Sequence, residues 1–124
     1  MKWIVLVAMI FSVNSFAQEN KPKYEMREYF FVMLKKGPNR SQDSVTAMKL
    51  QEGHMGNITR MADEGKLAIA GPFGDNGDWR GILILTVKTM EEAKTEVEKD
   101  PAVQAGRLIY EIHPWWSARG SKLP

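Results

Sequence analysis

Cysteine is absent from this 124-residue chain, which excludes disulfides, thiol catalysis, iron-sulfur clusters and cysteine-rich zinc sites. Histidine is scarce, with only His54 and His113, so no dedicated metal site and no cofactor is expected. An excess of one charge is missing as well: 17 basic against 15 acidic residues leave a net +2. Both signs are interspersed, without the basic stripe that tracks phosphates, so no nucleic-acid partner is expected. Nucleophilic-serine motifs, phosphate-binding glycine loops and dinucleotide fingerprints are lacking too. The Asp75, Asn76 and Asp78 stretch has no bidentate glutamate at calcium-loop spacing and reads as turn chemistry.

No apolar run reaches the ~20 residues a spanning helix needs. The run from Trp3 to Phe11 follows Lys2 and precedes Ser15-Phe16-Ala17, the three parts of an export signal cleaved after Ala17. Residues 1–17 are therefore read as a signal peptide and 18–28 as a flexible lead-in. Residues 29–116 are read as one folded domain and 117–124 as a tail. The expected location is periplasmic or secreted, with no membrane contact after cleavage. A disulfide-free exported domain of about 100 residues must rely on packing alone. Oligomerisation would add burial.

What is present is 44% hydrophobic and 26% charged residues, a balance that suits one globular domain. Tyr29 to Leu34 is an unbroken apolar strand, ended by Lys35-Lys36-Gly37-Pro38. From Ser44 to Glu64 the periodicity is helical. Leu50, Met61, His54, Ala47, Ile58, Gln51, Ala62, Met55 and Met48 share an arc of roughly 160°, and Asn57 and Arg60 fall outside it. His54 lies inside that stripe, where an imidazole is unexpected.

Leu67 to Ala70 reads as a second strand, running into Gly71-Pro72-Phe73, and Ile82 to Val87 as a third. Thr89-Met90-Glu91-Glu92 is a capping box that opens a second helix with Met90, Ala93 and Val97 on its apolar face. Asp100-Pro101 places a cap and a first-turn proline ahead of a short helical turn through Ala105. Leu108 to Ile112 is the fourth strand, with Pro114 as its expected end. This order predicts an α+β, ferredoxin-like βαββαβ arrangement: an antiparallel sheet with two helices on one face. Since the first and third strands are apolar on both faces, the uncovered sheet face predicts a homodimer stacked sheet on sheet.

With His54, Gly71-Pro72-Phe73, Asp100-Pro101, Ala105-Gly106 and Pro114-Trp115 in this order, the chain resembles the YCII-related family from Tyr29 to Trp115. The resemblance implies the dimeric α+β barrel, a fold shared with muconolactone isomerases and cofactor-free monooxygenases. It also implies an active site built on a histidine-aspartate pair, here His54 and Asp100. The chain departs from the family at Asn57, where relatives often carry an aromatic residue. Gly53 and Gly56 also flank the histidine, each costing roughly 1 kcal/mol against alanine in a helix.

An imidazole whose tautomer is held by a carboxylate is a general acid or base. The expected function is thus proton-transfer catalysis on a small cyclic or aromatic compound: a cofactor-independent lyase, isomerase or hydrolase. Against this stand a core histidine bonded to backbone and a plain helix cap at Asp100. In that case the domain would be a non-catalytic module binding a small ligand or a protein. A cofactor-free oxygenase is a third reading, by analogy of fold. Phe73, Trp79 and Trp115 are the candidate substrate-binding residues, although aromatics such as these, with Trp116 and Tyr110, also close cores and dimer interfaces. Arg80 and Arg107 are candidates for pairing with a substrate carboxylate, and the sequence does not separate them from solvated surface arginines.

Overall fold

A computed structural model describes residues 23–124. The expected signal peptide, residues 1–17, and residues 18–22 of the expected lead-in lie outside the described residues. Seven elements follow in order: β1 (Met26–Lys36), α1 (Ser44–Asp63), β2 (Leu67–Pro72), β3 (Trp79–Leu85), α2 (Met90–Glu98), α3 (Pro101–Gln104) and β4 (Leu108–Ala118). All neighbouring strands are antiparallel, in the order β2-β3-β1-β4. This is the ferredoxin-like α+β arrangement that the periodicities predict.

Alternation along β1 divides its apolar run between two faces. Phe30, Val32 and Leu34 join Leu83 and Leu85 of β3, Met61 of α1, and Ala93 and Val97 of α2 in the core. Val32, Met61, Leu85 and Val97 are wholly buried, and full burial of an aliphatic side chain contributes about 1.5–3 kcal/mol. Tyr29, Phe31 and Met33 point the other way. They align with Trp115, His113 and Glu111 of β4, while Phe31 and Met33 face Ile84 and Ile82 of β3.

Several boundaries differ from the sequence reading: β1 runs on to Lys36, and β3 spans Trp79–Leu85 in place of the expected Ile82–Val87. β1 begins at Met26, within the expected lead-in, and β4 continues through Pro114 to Ala118 because Met26–Glu28 pair with Trp116–Ala118. Proline does not stop β4, since this is an edge strand, where a missing N–H is tolerated.

The caps behave as their residue types dictate. Asp43 accepts from the Thr46 amide at 2.7 Å to open α1. Thr89 accepts from the Glu92 amide at 3.1 Å, and the Glu92 carboxylate accepts from the Lys88 amide at 3.2 Å, to open α2. The sheltered side of α1 is narrower than the sequence stripe and rotated from it. Ala47, Leu50, His54, Ile58 and Met61 turn inward, but Met48, Gln51, Met55 and Ala62 are exposed, and Asn57 is buried.

A polar cluster explains the burial of Asn57. Its amide donates to the Glu96 carbonyl at 3.1 Å and its side-chain oxygen accepts from Arg60 at 2.9 Å. The buried Glu96 carboxylate in turn accepts from Arg60 at 2.6 Å, Lys66 at 2.8 Å and Lys99 at 3.2 Å. Burial alone would raise the Glu96 carboxyl, but the hydrogen bonds from these three cations outweigh it and hold the group at about 2.

Candidate active site

Asp100 ends up beside His54 because α3 seats tightly on α1. A Cβ placed on Gly53 would stand 2.6 Å from Cγ of Pro101, so the absent side chain at Gly53 is what admits the proline ring. The residue before that proline is Asp100, 3% exposed. One carboxylate oxygen, Oδ1, accepts from the Ala102 amide at 2.8 Å as the N-cap of α3. The other, Oδ2, lies 2.5 Å from Nδ1 of His54. The helix cap and the contact with His54 thus coexist, one on each oxygen.

The direction of the proton follows from the donor inventory. An ionised carboxylate only accepts, so the ring donates through Nδ1–H and keeps a lone pair on Nε2. His54 also lines a cavity of about 390 Å³ between α1, the β2–β3 end of the sheet and the start of β4. Leu34, Met55, Ile58, Leu83 and Leu108 supply apolar wall, and Gln51 adds an amide. Such a space admits a molecule of about the size of a substituted ring.

Three arginines complete the lining: Arg40, Arg80 and Arg107. Arg40 and Arg107 meet because the loop after β1 crosses the start of β4 at glycines. The Gly37 amide donates to the Arg107 carbonyl at 2.8 Å, the Asn39 amide donates to the Gly106 carbonyl at 3.0 Å, and Gly106 has φ +73°. A Cβ on Gly37 would fall 2.1 Å from the Gly106 carbonyl oxygen. At this crossing Arg40 Nη1 donates to the Arg107 carbonyl at 2.6 Å, and Arg107 Nη1 donates to Gln42 Oε1 at 2.9 Å. Arg80 arrives by a different device. Leu34 faces Gly81 and Lys35 faces Trp79, so Arg80 is the extra residue of a β-bulge.

The aromatic candidates lie elsewhere. Phe73 borders a second, shallower hollow of about 190 Å³ with Ile69, Ile82 and Leu123. Trp79 packs on Phe73 at 5.9 Å between ring centroids and is 56% exposed. Trp115 packs on Tyr29 at 6.3 Å, on the sheet face away from the helices. None of the three lines the His54 cavity. Of the sequence candidates, the fold brings together His54, Asp100, Arg80 and Arg107. Arg40 was not among them, and nothing in a polar loop signals that it will cross a distant glycine. Among the described residues, no three His, Asp or Glu side chains converge as metal ligands. No helix there is long and apolar enough to cross a membrane.

A ferredoxin-like domain with a histidine-aspartate pair on the wall of a ring-sized cavity is thus what the fold and the side chains define. The chain belongs to the YCII-related domain family, which matches it over residues 29–116. Among solved structures it is similar to the 5-chloro-2-hydroxyhydroquinone dehydrochlorinase TftG from Burkholderia phenoliruptrix AC1100, in complex with 2,5-dihydroxybenzoquinone. That likeness has a TM-score of 0.52 at 21% identity, and covers 69% of this chain and 92% of the other. No curated protein matches the chain significantly.

Proposed function

We propose that this protein is a small-molecule enzyme in which His54 moves a proton as general acid or base and Asp100 holds its ring. The observation that carries the reading is the 2.5 Å contact between Nδ1 of His54 and Oδ2 of Asp100 on the wall of an open cavity. A purely structural histidine would be sealed and bonded to backbone, whereas this one is bonded to a carboxylate and borders empty space. The reaction class is cofactor-independent proton transfer, as in a lyase, isomerase or hydrolase. The fold neighbour, a dehydrochlorinase solved with a dihydroxybenzoquinone, favours a small cyclic substrate and an elimination. The export signal would place this chemistry in the periplasm or outside the cell.

The working unit is a homodimer. Phe31, Met33 and Ile82 remain only half-buried on the sheet face away from the helices. Ile109 and Trp115 on the same face are 44% and 43% exposed. A second copy stacked there would cover them.

The reading is tested by proton exchange, which needs no knowledge of the full reaction. A panel of hydroxylated, halogenated and enolisable ring compounds is incubated with the mature protein in D₂O, and deuterium incorporation is followed by NMR. At least one compound should exchange or turn over, and His54→Ala and Asp100→Asn should each lower that rate by about 10²–10⁴-fold. An undiminished rate in Asp100→Asn, with the fold melting normally, removes the pair.

A further inference from the structure

The arginines around the cavity have no counter-charge. Among the described residues, no carboxylate lies within 4 Å of the guanidinium nitrogens of Arg40, Arg80 or Arg107, whereas Lys35, Arg60, Lys66 and Lys99 each have one. No Asp or Glu among the described residues lines the cavity, and Asp100, bonded to His54 on its wall, has both oxygens engaged, by the Ala102 amide and by His54. Three cations gathered at an apolar-walled cavity repel one another and lose hydration. Burial, and then the charges of Arg107 and Arg80, push the Arg40 guanidinium below its ordinary value. Arg80 is the least committed of the three: its side-chain hydrogen bond is a long one, 3.4 Å to the Gly77 carbonyl.

We propose that Arg40, Arg80 and Arg107 form a subsite for a planar organic oxyanion, so that the substrate is a ring compound carrying a carboxylate or an ionised ring hydroxyl. This inference rests on the cavity being the reaction site. Guanidinium groups offer pairs of parallel N–H donors that match planar oxyanions. The apolar residues opposite them receive the ring. An anion fixed at the arginines presents the rest of the molecule to Nε2 of His54, the ring nitrogen without a partner among the described residues. The same cations would stabilise negative charge that develops on a conjugated oxygen once a proton leaves carbon, with the electron pair delocalised onto that oxygen and the proton held on Nε2.

Binding distinguishes this subsite from the acid-base pair. Dissociation constants are measured by calorimetry or NMR for two matched pairs of probes, each an anion and its neutral counterpart. Benzoate and benzamide report a carboxylate; 2,5-dihydroxybenzoquinone, ionised at neutral pH, and 2,5-dimethoxybenzoquinone report a ring oxyanion. The anion of at least one pair should bind tenfold or more tightly than its neutral counterpart, a preference that weakens with added salt. Arg80→Gln should abolish most of that preference and Arg80→Lys should keep part of it, with melting unchanged in both. Asp100→Asn should keep the preference while proton exchange falls, so the subsite stands even where the acid-base reading fails. Equal binding of anion and neutral probe, no binding of any anion at millimolar concentration, or a full preference surviving in Arg80→Gln overturns the subsite whatever the exchange rate.

Discussion

Gly53→Ala tests whether the close seat of α3 on α1 is what holds Asp100 against His54. The added Cβ would stand 2.6 Å from Cγ and 3.1 Å from Cβ of Pro101, about 1 Å inside ordinary carbon-carbon contact. The obstructing atoms belong to a closed ring, which has no flexible end to swing aside. Since Pro101 follows Asp100 directly, a shift of about 1 Å carries the carboxylate with it. The 2.5 Å contact then opens to about 3.5 Å, past a useful hydrogen bond. Alanine gains about 1 kcal/mol of helix propensity, against about 1–3 kcal/mol for overpacking, so the net change should be a loss of about 0–2 kcal/mol. Gly56→Ala is the matched control. That position has no neighbouring atom within 4 Å, so the variant should gain the full ~1 kcal/mol and leave the pair intact. Urea unfolding reads the stabilities, and ¹⁵N-correlated NMR of the His54 ring reads the Nδ1–H proton. The reasoning fails if Gly53→Ala is as stabilising as Gly56→Ala and its Nδ1–H resonance is unmoved.

Further outcomes follow from the packing. Glu96 is held at about 2 against an ordinary 4.5, and at about 1.4 kcal/mol per unit this is about 3 kcal/mol of stability. Because the folded-state value is the lower one, that contribution is complete above pH 4.5 and disappears as the pH falls towards 2. Unfolding free energies across that window should show the loss in the parent and a flatter profile in Glu96→Gln; identical acid slopes would contradict the assignment. Met61→Ala removes a wholly buried side chain and should cost about 2–5 kcal/mol by denaturant titration, whereas a cost below 1 kcal/mol would mean the site collapses freely. Light scattering at micromolar concentration should give twice the protomer mass, with Phe31→Lys on the bare sheet face shifting it towards monomer. A monomeric parent would refute the stacked sheets.

How far such a site can be read from sequence depends on whether its parts are periodic or arrive by crossing. Tyr29–Leu34 and Ile82–Val87 announce strands through composition, and Asp43 and Thr89 announce helix starts through side-chain chemistry. Asp100-Pro101 announces a cap and a turn, and none of these needs a distant contact to be recognised. The ends of β1 and β4 were hidden because Met26–Glu28 and Trp116–Ala118 are strand only by pairing with each other, a property that neither segment carries alone. The inward face of α1 was misjudged at Asn57 for a related reason. An amide reads as surface unless its partners, Arg60 and the buried Glu96, are known.

The site shows the same division more sharply. His54 stood out because a helical stripe gave it a face, yet two of its neighbours were set by glycines whose meaning is spatial. Gly53 looked like a defect in a helix, and it is the place where Pro101 fits and Asp100 is delivered. Gly37 looked like the stop of a strand, and it is where the loop carrying Arg40 passes beneath Arg107. A missing side chain records that something approaches but not what, so the histidine was legible while the cationic wall facing its cavity was not. The aromatic residues lie outside the His54 cavity for the converse reason. Trp79 and Trp115 are large and conspicuous, but strand alternation and the bulge at Arg80 turn the arginine into the cavity and leave the indoles outside it. Side-chain direction, more than residue type, separates a binding group from a conspicuous one.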